Sequence, residues 1–410
     1  MSDLNRRSLV GSMATAPLWA GGGPPSGLRL TRGINVHHVV SWPDHVQKNP
    51  VQYRWPPFAG PRFDTARETV QALKRLGFDF IRFGVDPAIF LANAPRRAEL
   101  MKIVASRVQP FLSAGLNVVF DLHPTPDNPP YMTDRILVAG SPDFAKYVTF
   151  VRDLAATVNG LPHDRVALEM FNEPPMTGGR GLRVWQQMLE TLHASARAAA
   201  PRLPLVMTGG NFGGLEELTK LDVSPFKGSN VLYTFHYYDP HIFTHQGIDT
   251  PTDLAHYMRN LHWPPRSSEQ DAVKSIAAAG IDSNGKLDGQ AKDRIKRSLE
   301  YQTTVYFKKA NGPEKIASDF ERLADWARSR SIDASRIFMG EFGARRPEAD
   351  SPSLLADRVA WVQATRKTSE ANGFGWSYWD LKGGGNWNLL ADGTRTTFDP
   401  NMTRALGLNI

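Results

Sequence analysis

The sequence predicts a (β/α)8 TIM barrel with a long insertion between strands six and seven. Two observations carry this. Eight short apolar runs recur along the 410 residues, and most alternate with stretches of helical amphipathic period. Most of the runs also end in a polar or aromatic residue, as expected where barrel strands deliver side chains to one catalytic face. An open doubly wound sheet is the alternative and explains eight repeats less economically.

The elements follow in order. Leu30 to Val36 reads as the first strand. A helix from near Asp64 follows, with Ala66, Val70, Leu73 and Leu76 on one face and Gly77 as its stop. Phe78 to Val85 is the second strand. Leu100, Ile103, Val104, Val108 and Phe111 stripe the next helix, which Gly115 ends. Leu116 to Leu122 is the third strand, and Phe144, Tyr147, Val151 and Leu154 mark the helix after it. Val166 to Asn172 is the fourth, with a helix from Leu182 to Ala200. Leu205 to Thr208, Val231 to His236, Ile337 to Glu341 and Gly375 to Trp379 complete the eight. The last two are joined by a helix with Leu355, Val359 and Val362 inward. Between strands six and seven, residues 241–312 exceed any ordinary connection. They include His262-Trp263-Pro264-Pro265 and a charged helical stretch from Gly289 to Lys309, and read as a lid or subsite wall.

Composition excludes several classes. The hydrophobic fraction of 41% supports a large core and is too high for a disordered chain. The net charge is +7, but Lys and Arg are dispersed and no basic run interleaves with aromatics, so nucleic acid is not an expected partner. No cysteine is present, which removes disulfides, thiolate catalysis and Cys-based zinc sites. The histidines show no metal-binding spacing. No apolar run approaches the roughly 20 residues that cross a bilayer. Residues 1–25 carry Asn5-Arg6-Arg7-Ser8 before a mildly apolar stretch, the pattern of a twin-arginine export signal, so an exported protein is expected. Residues 26–410 are then one catalytic domain, expected to be a monomer.

Two strand ends carry glutamates, in Glu169-Met170-Phe171-Asn172-Glu173-Pro174 and Met339-Gly340-Glu341-Phe342-Gly343. A carboxylate at the end of a buried strand is costly unless it is paired, neutralised or functional. Two brought to one cleft can divide acid and nucleophile duties, as glycoside hydrolysis requires. Other strand ends supply Arg82, His123, His236-Tyr237-Tyr238 and Trp376-Ser377-Tyr378-Trp379. Glu169 lies four residues before Glu173, deeper on the same face, and reads as structural.

In this order, Arg82, the Asn172-Glu173 pair, His236-x-Tyr238 and the strand-end Glu341 resemble glycoside hydrolase family 5, the cellulase-like retaining glycosidases of clan A. The resemblance covers about residues 28–410 apart from the insertion. It implies Glu173 as general acid/base, Glu341 as nucleophile, and Asn172 as the partner of the sugar 2-hydroxyl. It implies that Arg82 and Tyr238 hold Glu341 ionised. His123 and His236 belong to the polar network around the glutamates, and Trp379 forms the floor under the sugar. No metal or organic cofactor is implied.

His37, His38 and Trp387 are further subsite candidates, as are the loop residues Trp42, Trp55 and Trp263; Asp380 and Lys382 are candidates to meet sugar hydroxyls. The expected substrate is a β-linked polysaccharide, most simply a β-1,4-glucan cut internally; mannan and β-1,3-glucan are alternatives within the family. A catalytically inactive carbohydrate-binding protein on the same barrel is the competing class, and the intact carboxylate pair argues against it.

Overall fold

The computed structural model describes residues 27–48, 50–125, 133–308, 311–347, 351–383 and 386–409. The expected export segment, residues 1–25, lies outside them. Eight parallel strands close into a barrel. They are β1 (Arg32–Val40), β2 (Phe80–Val85), β3 (Asn117–Leu122), β4 (Val166–Glu169), β5 (Leu205–Thr208), β6 (Val231–Tyr237), β7 (Ile337–Phe342) and β8 (Gly375–Tyr378). Each pairs with its neighbour in sequence, and β1 closes on β8. A short hairpin, His45–Lys48 with Val51–Tyr53, follows β1 outside the barrel.

Alternation along the strands sorts the barrel interior into layers. At the base, Phe80, Val119, Ala167, Val206, Leu232 and Phe338 form a closed apolar cluster, plugged from below by Leu28 and Leu30. Each fully buried large side chain there contributes roughly 1.5–3 kcal/mol. Two residues further along, the same faces present Arg82, Asp121, Glu169, Thr208 and Thr234, all buried. The next positions open toward the cleft. Outside the strands, a second and larger core packs the helices onto the barrel.

One strand departs from simple alternation where it matters. Phe235 pairs with Met339, but His236 pairs with Glu341, so Gly340 is an extra residue in β7. A β-carbon there would stand 2.5 Å from Thr234 Oγ1 and 3.2 Å from His236 Nε2. Only glycine fits the bulge, and the bulge turns Glu341 into the barrel beside His236.

Several expectations need correction. The first strand runs Arg32–Val40, not Leu30 to Val36. The fourth strand ends at Glu169, not Asn172. Met170 to Asn172 leave the ladder, although Asn172 N still donates to Leu122 O at 2.9 Å, so Glu173 is not on the pleat of Glu169. In the helix Pro352–Ala371, the buried face is Leu354, Arg358, Trp361, Val362 and Thr365, whereas Leu355 and Val359 are half-buried. Arg358 can occupy that face because Ala344 O accepts from its Nε at 2.7 Å and Tyr378 Oη takes its Nη2 at 3.0 Å.

The insertion is a folded unit of short turns and two helices, Gln270–Ser283 and Gly289–Lys308. Val273, Ala277 and Ile281 of the first, with Ile295, Leu299 and Tyr306 of the second, are buried. Asp357 of a barrel helix holds it in place, paired with His262 Nδ1 and accepting from Trp263 N at 3.3 Å. Among the described residues, no helix is long and apolar enough to cross a membrane.

Candidate active site

Arg82 organises the interior. It is fully buried, and such a cation survives only among acceptors. Nε and Nη2 donate to Glu169 Oε2 and Oε1 at 2.8 and 2.7 Å. Nη1 donates to Asn35 Oδ1 at 3.0 Å and to Glu341 Oε1 at 2.8 Å. Nη2 also donates to Asn172 Oδ1 at 2.7 Å and lies 3.1 Å from Asp121 Oδ1. Burial raises the pKa of the Asp121 and Glu169 carboxyls, and the opposing pull of Arg82 offsets only part of that rise.

Glu341 is held as an acceptor on both oxygens. Arg82 occupies Oε1, and Tyr238 Oη donates to Oε2 at 3.0 Å. Glu173 has a different setting. His236 Nδ1 lies 2.7 Å from its Oε1, and 3.6 Å from Glu341 Oε2. The other ring nitrogen, Nε2, is buried with no hydrogen-bond partner, which places the imidazole proton on Nδ1, donating to Glu173. About a third of the Glu173 side chain (32%) is exposed to the cleft. Burial of the carboxyl nonetheless pushes its pKa up to about 7, against the opposing pull of His123 and Arg82. One oxygen of Glu173 and one of Glu341 lie within 4.8 Å of each other.

Asn172 is oriented from both ends. Its Oδ1 faces Arg82, so its Nδ2 faces His123 Nε2 at 3.3 Å. His123 Nδ1 meets Asp121 Oδ2 at 2.8 Å, and burial lowers the imidazole pKa to about 4, so the neutral ring donates to Asp121 and accepts from Asn172. Among the described residues, the second Asn172 amide proton meets no acceptor.

Trp379 follows β8. His37 stacks on it at 4.5 Å and 16°, and His123 lies near-parallel at 5.6 Å. His37 is buried, 3.0 Å from Asp380 Oδ2 and edge-on to Trp42 at 5.0 Å, so it braces Trp379. His123, Glu173, His236, Tyr238, Glu341, Trp379 and Trp387 all line one cleft of about 980 Å³. Residues of the insertion, among them His241, His245, Asp253 and Gln302, form part of its wall.

Other candidates lie elsewhere. His38 is on the opposite face of β1 from Asn35 and His37; its Nε2 bonds Thr65 Oγ1 at 3.1 Å, beside the helices. Trp55 carries the Arg96 guanidinium at 3.4 Å and donates to Glu99. Trp263 is buried within the insertion. Asp380 is buried against His37, so it does not reach the cleft. Just before Trp387, Gly384 and Gly385 lie outside the described residues. Sequence reading missed Asn35, which links Arg82 to Gly340 O (2.9 Å) and Ser377 Oγ (3.0 Å). A lone polar residue in Ile34-Asn35-Val36 was the signal. Asp121 was passed over beside His123.

Among the described residues, two triplets have donor atoms close enough to hold a cation: Asp121, His123 and Glu341, and Glu173, His236 and Glu341. Both share Glu341, whose Oε1 is already 2.8 Å from the Arg82 guanidinium. A second positive charge there would meet direct repulsion.

A (β/α)8 barrel with two close, differently bonded carboxyls at its strand ends describes a class of hydrolytic barrel. Residues 44–385 match the cellulase family, glycosyl hydrolase family 5, and the chain belongs to that family. It is 22% identical over 346 residues to endoglucanase 3 of Fibrobacter succinogenes (strain ATCC 19169 / S85). That match covers 81% of this chain and 48% of the relative, so the chain spans about half the length of the curated protein it matches. Among solved structures it is similar to the cellulose synthase subunit Z of Clostridioides difficile, with 19% identity, a TM-score of 0.64, and coverage of 92% of this chain and 99% of that one. Cel5A of Thermotoga maritima, solved with mannotriose, gives 19% identity, a TM-score of 0.64, and coverage of 93% and 98%. A broad-specificity endoglucanase of Bacteroides salanitronis gives 15%, 0.63, 92% and 91%. At these identities the likeness establishes the fold.

Proposed function

We propose that the protein is a retaining glycoside hydrolase that cuts β-1,4-glucan internally, using Glu173 as acid/base and Glu341 as nucleophile. One observation carries the mechanism. The two carboxyls approach within 4.8 Å, close to the roughly 5–5.5 Å of retaining enzymes and short of the roughly 6.5–9.5 Å that leaves room for water in inverting ones.

The division of labour follows from the contacts. Glu341 faces two donors and no base, so its carboxylate is the group free to attack the anomeric carbon. Glu173, with its raised pKa, gives its proton to the departing glycosidic oxygen. The C–O bond to the leaving sugar breaks as the bond to Glu341 forms. Glu173, now ionised, then takes a proton from water as the water oxygen bonds to the anomeric carbon and the bond to Glu341 breaks, which frees the Glu341 carboxylate and leaves Glu173 protonated again. Asn172 offers its free amide proton to the 2-hydroxyl, a contact that strengthens in the oxocarbenium-like transition state. Trp379 supplies an apolar face beneath the sugar.

The substrate assignment rests on the family and on relatives named as endoglucanases. Mannan is the nearest alternative, since one structural neighbour was solved with mannotriose. Reducing-sugar release from soluble β-1,4-glucan, mannan and β-1,3-glucan, with Glu173→Ala and Glu341→Ala alongside, tests both. Activity greatest on β-1,4-glucan and lost in both variants is expected; activity that survives Glu341→Ala refutes the nucleophile. Export is part of the proposal and rests on Arg6-Arg7. Replacing both with lysine should retain the protein inside the producing cell, and unchanged export would refute it.

A further inference from the structure

Tyr238 stands just beyond β6, and its hydroxyl reaches Glu341 only if its ring is held. A phenol ring otherwise turns about its side-chain torsions. His245, from the insertion, meets that ring edge-on at 4.8 Å and 74°. It meets Trp387 at 4.9 Å and 63°, and Trp387 meets Tyr238 at 5.7 Å and 77°. Each of the three rings therefore abuts the other two. His241 stacks on His245 at 4.0 Å and 19°, backing it from the cleft side of the insertion.

A second hold runs through hydrogen bonds. Thr244 Oγ1 donates to Tyr238 O at 2.6 Å, and Arg345 N donates to Thr244 O at 2.8 Å. A hydroxyl carries one proton. With it on the Tyr238 carbonyl, Thr244 Oγ1 must accept from His245 Nδ1, 3.0 Å away. The imidazole thus grips both the ring and, through Thr244, the backbone of Tyr238.

We infer that His245 is a positioning residue: it acts through Tyr238 to keep the phenol hydroxyl on Glu341 Oε2. The insertion is then a working part of the nucleophile's setting as well as a wall. The inference rests on the reading of Glu341 as nucleophile.

A double-mutant cycle of His245→Ala and Tyr238→Phe tests it on an aryl β-cellobioside, with folding checked by circular dichroism. His245→Ala should lower kcat about tenfold with little change in KM, and the same change in the Tyr238→Phe background should cost less than about twofold. His245→Phe keeps an aromatic ring against Tyr238 and Trp387 and loses both ring nitrogens, and with them the Nδ1 bond to Thr244; it should fall between, and it replaces His245→Ala in the cycle if that variant does not fold. Equal losses in both backgrounds, or a folded His245→Ala with wild-type kcat, would overturn the inference while leaving the functional reading intact. An inactive wild type would instead remove the functional reading, and the inference with it.

Discussion

Arg82 grips Glu169 with two parallel hydrogen bonds, Nε to Oε2 at 2.8 Å and Nη2 to Oε1 at 2.7 Å, both side chains wholly buried. Glu169 never reaches the cleft, yet it sets the plane in which Nη1 meets Glu341. The bidentate fork is what an arginine offers and a lysine does not.

Glu169→Ala leaves a buried guanidinium short of a counter-charge. It should destabilise the fold by about 3–5 kcal/mol in urea unfolding. It should also depress activity in whatever fraction remains folded, because Arg82 is no longer oriented. A loss below about 1 kcal/mol would mean that Asp121 and Glu341 suffice.

The raised Glu173 carboxyl predicts pH dependence of two kinds. In the proposed mechanism the acid form is required for the first step, so kcat/KM should fall as pH rises through about 7. With an activated aryl leaving group that needs no proton, Glu173→Gln should remove this alkaline limb from the glycosylation step. Stability has a matching sign. Between the ordinary 4.5 and the folded value of about 7, the folded state binds the proton more tightly than the unfolded chain. Stability from this group therefore declines as pH rises through that window, and the loss is complete above it. Thermal melts of Glu173→Gln should show a smaller decline over the same range than wild type.

In the proposed mechanism, Asn172→Ala removes the amide proton offered to the sugar 2-hydroxyl. It should lower kcat/KM by about 10–100-fold, corresponding to roughly 1.5–3 kcal/mol for a hydrogen bond to a developing charge. The penalty should shrink on the 2-deoxy counterpart of the same aryl glycoside. An equal loss on both would assign Asn172 to holding Arg82 alone.

Asp357 tethers the insertion through His262 and Trp263 N. Asp357→Ala should expose residues 262–270 to limited proteolysis while the barrel core resists. Unchanged cleavage would show that the buried contacts of the two insertion helices hold the unit without the tether.

Much of the barrel was legible because each strand is a short apolar run bounded by polar residues; β5 was read with its observed bounds, Leu205–Thr208. The boundary of β4 was not, because Met170 and Phe171 are as apolar as the strand they leave. On Pro352–Ala371, Val362 is buried and Val359 packs against the core as read, but Arg358 on the same buried face was missed, because tertiary acceptors satisfy it and hydrophobic period does not report them. Within the site, the strand-end residues were legible. Period-two alternation could have separated His37 from His38, since Asn35 and His37 share a face. Asn35 was signalled as a lone polar residue in an apolar strand, but its partners were not; they, the Gly340 bulge that turns Glu341 inward and the His245 contacts all depend on pairing between distant segments.

The stereochemistry of the first product tests the central claim most directly. Proton NMR of the anomeric signals during early hydrolysis of a cello-oligosaccharide reads it before mutarotation. The approach of Glu173 and Glu341 to within 4.8 Å predicts that the β-anomer forms first. A first-formed α-anomer would contradict the double displacement and the role given to Glu341.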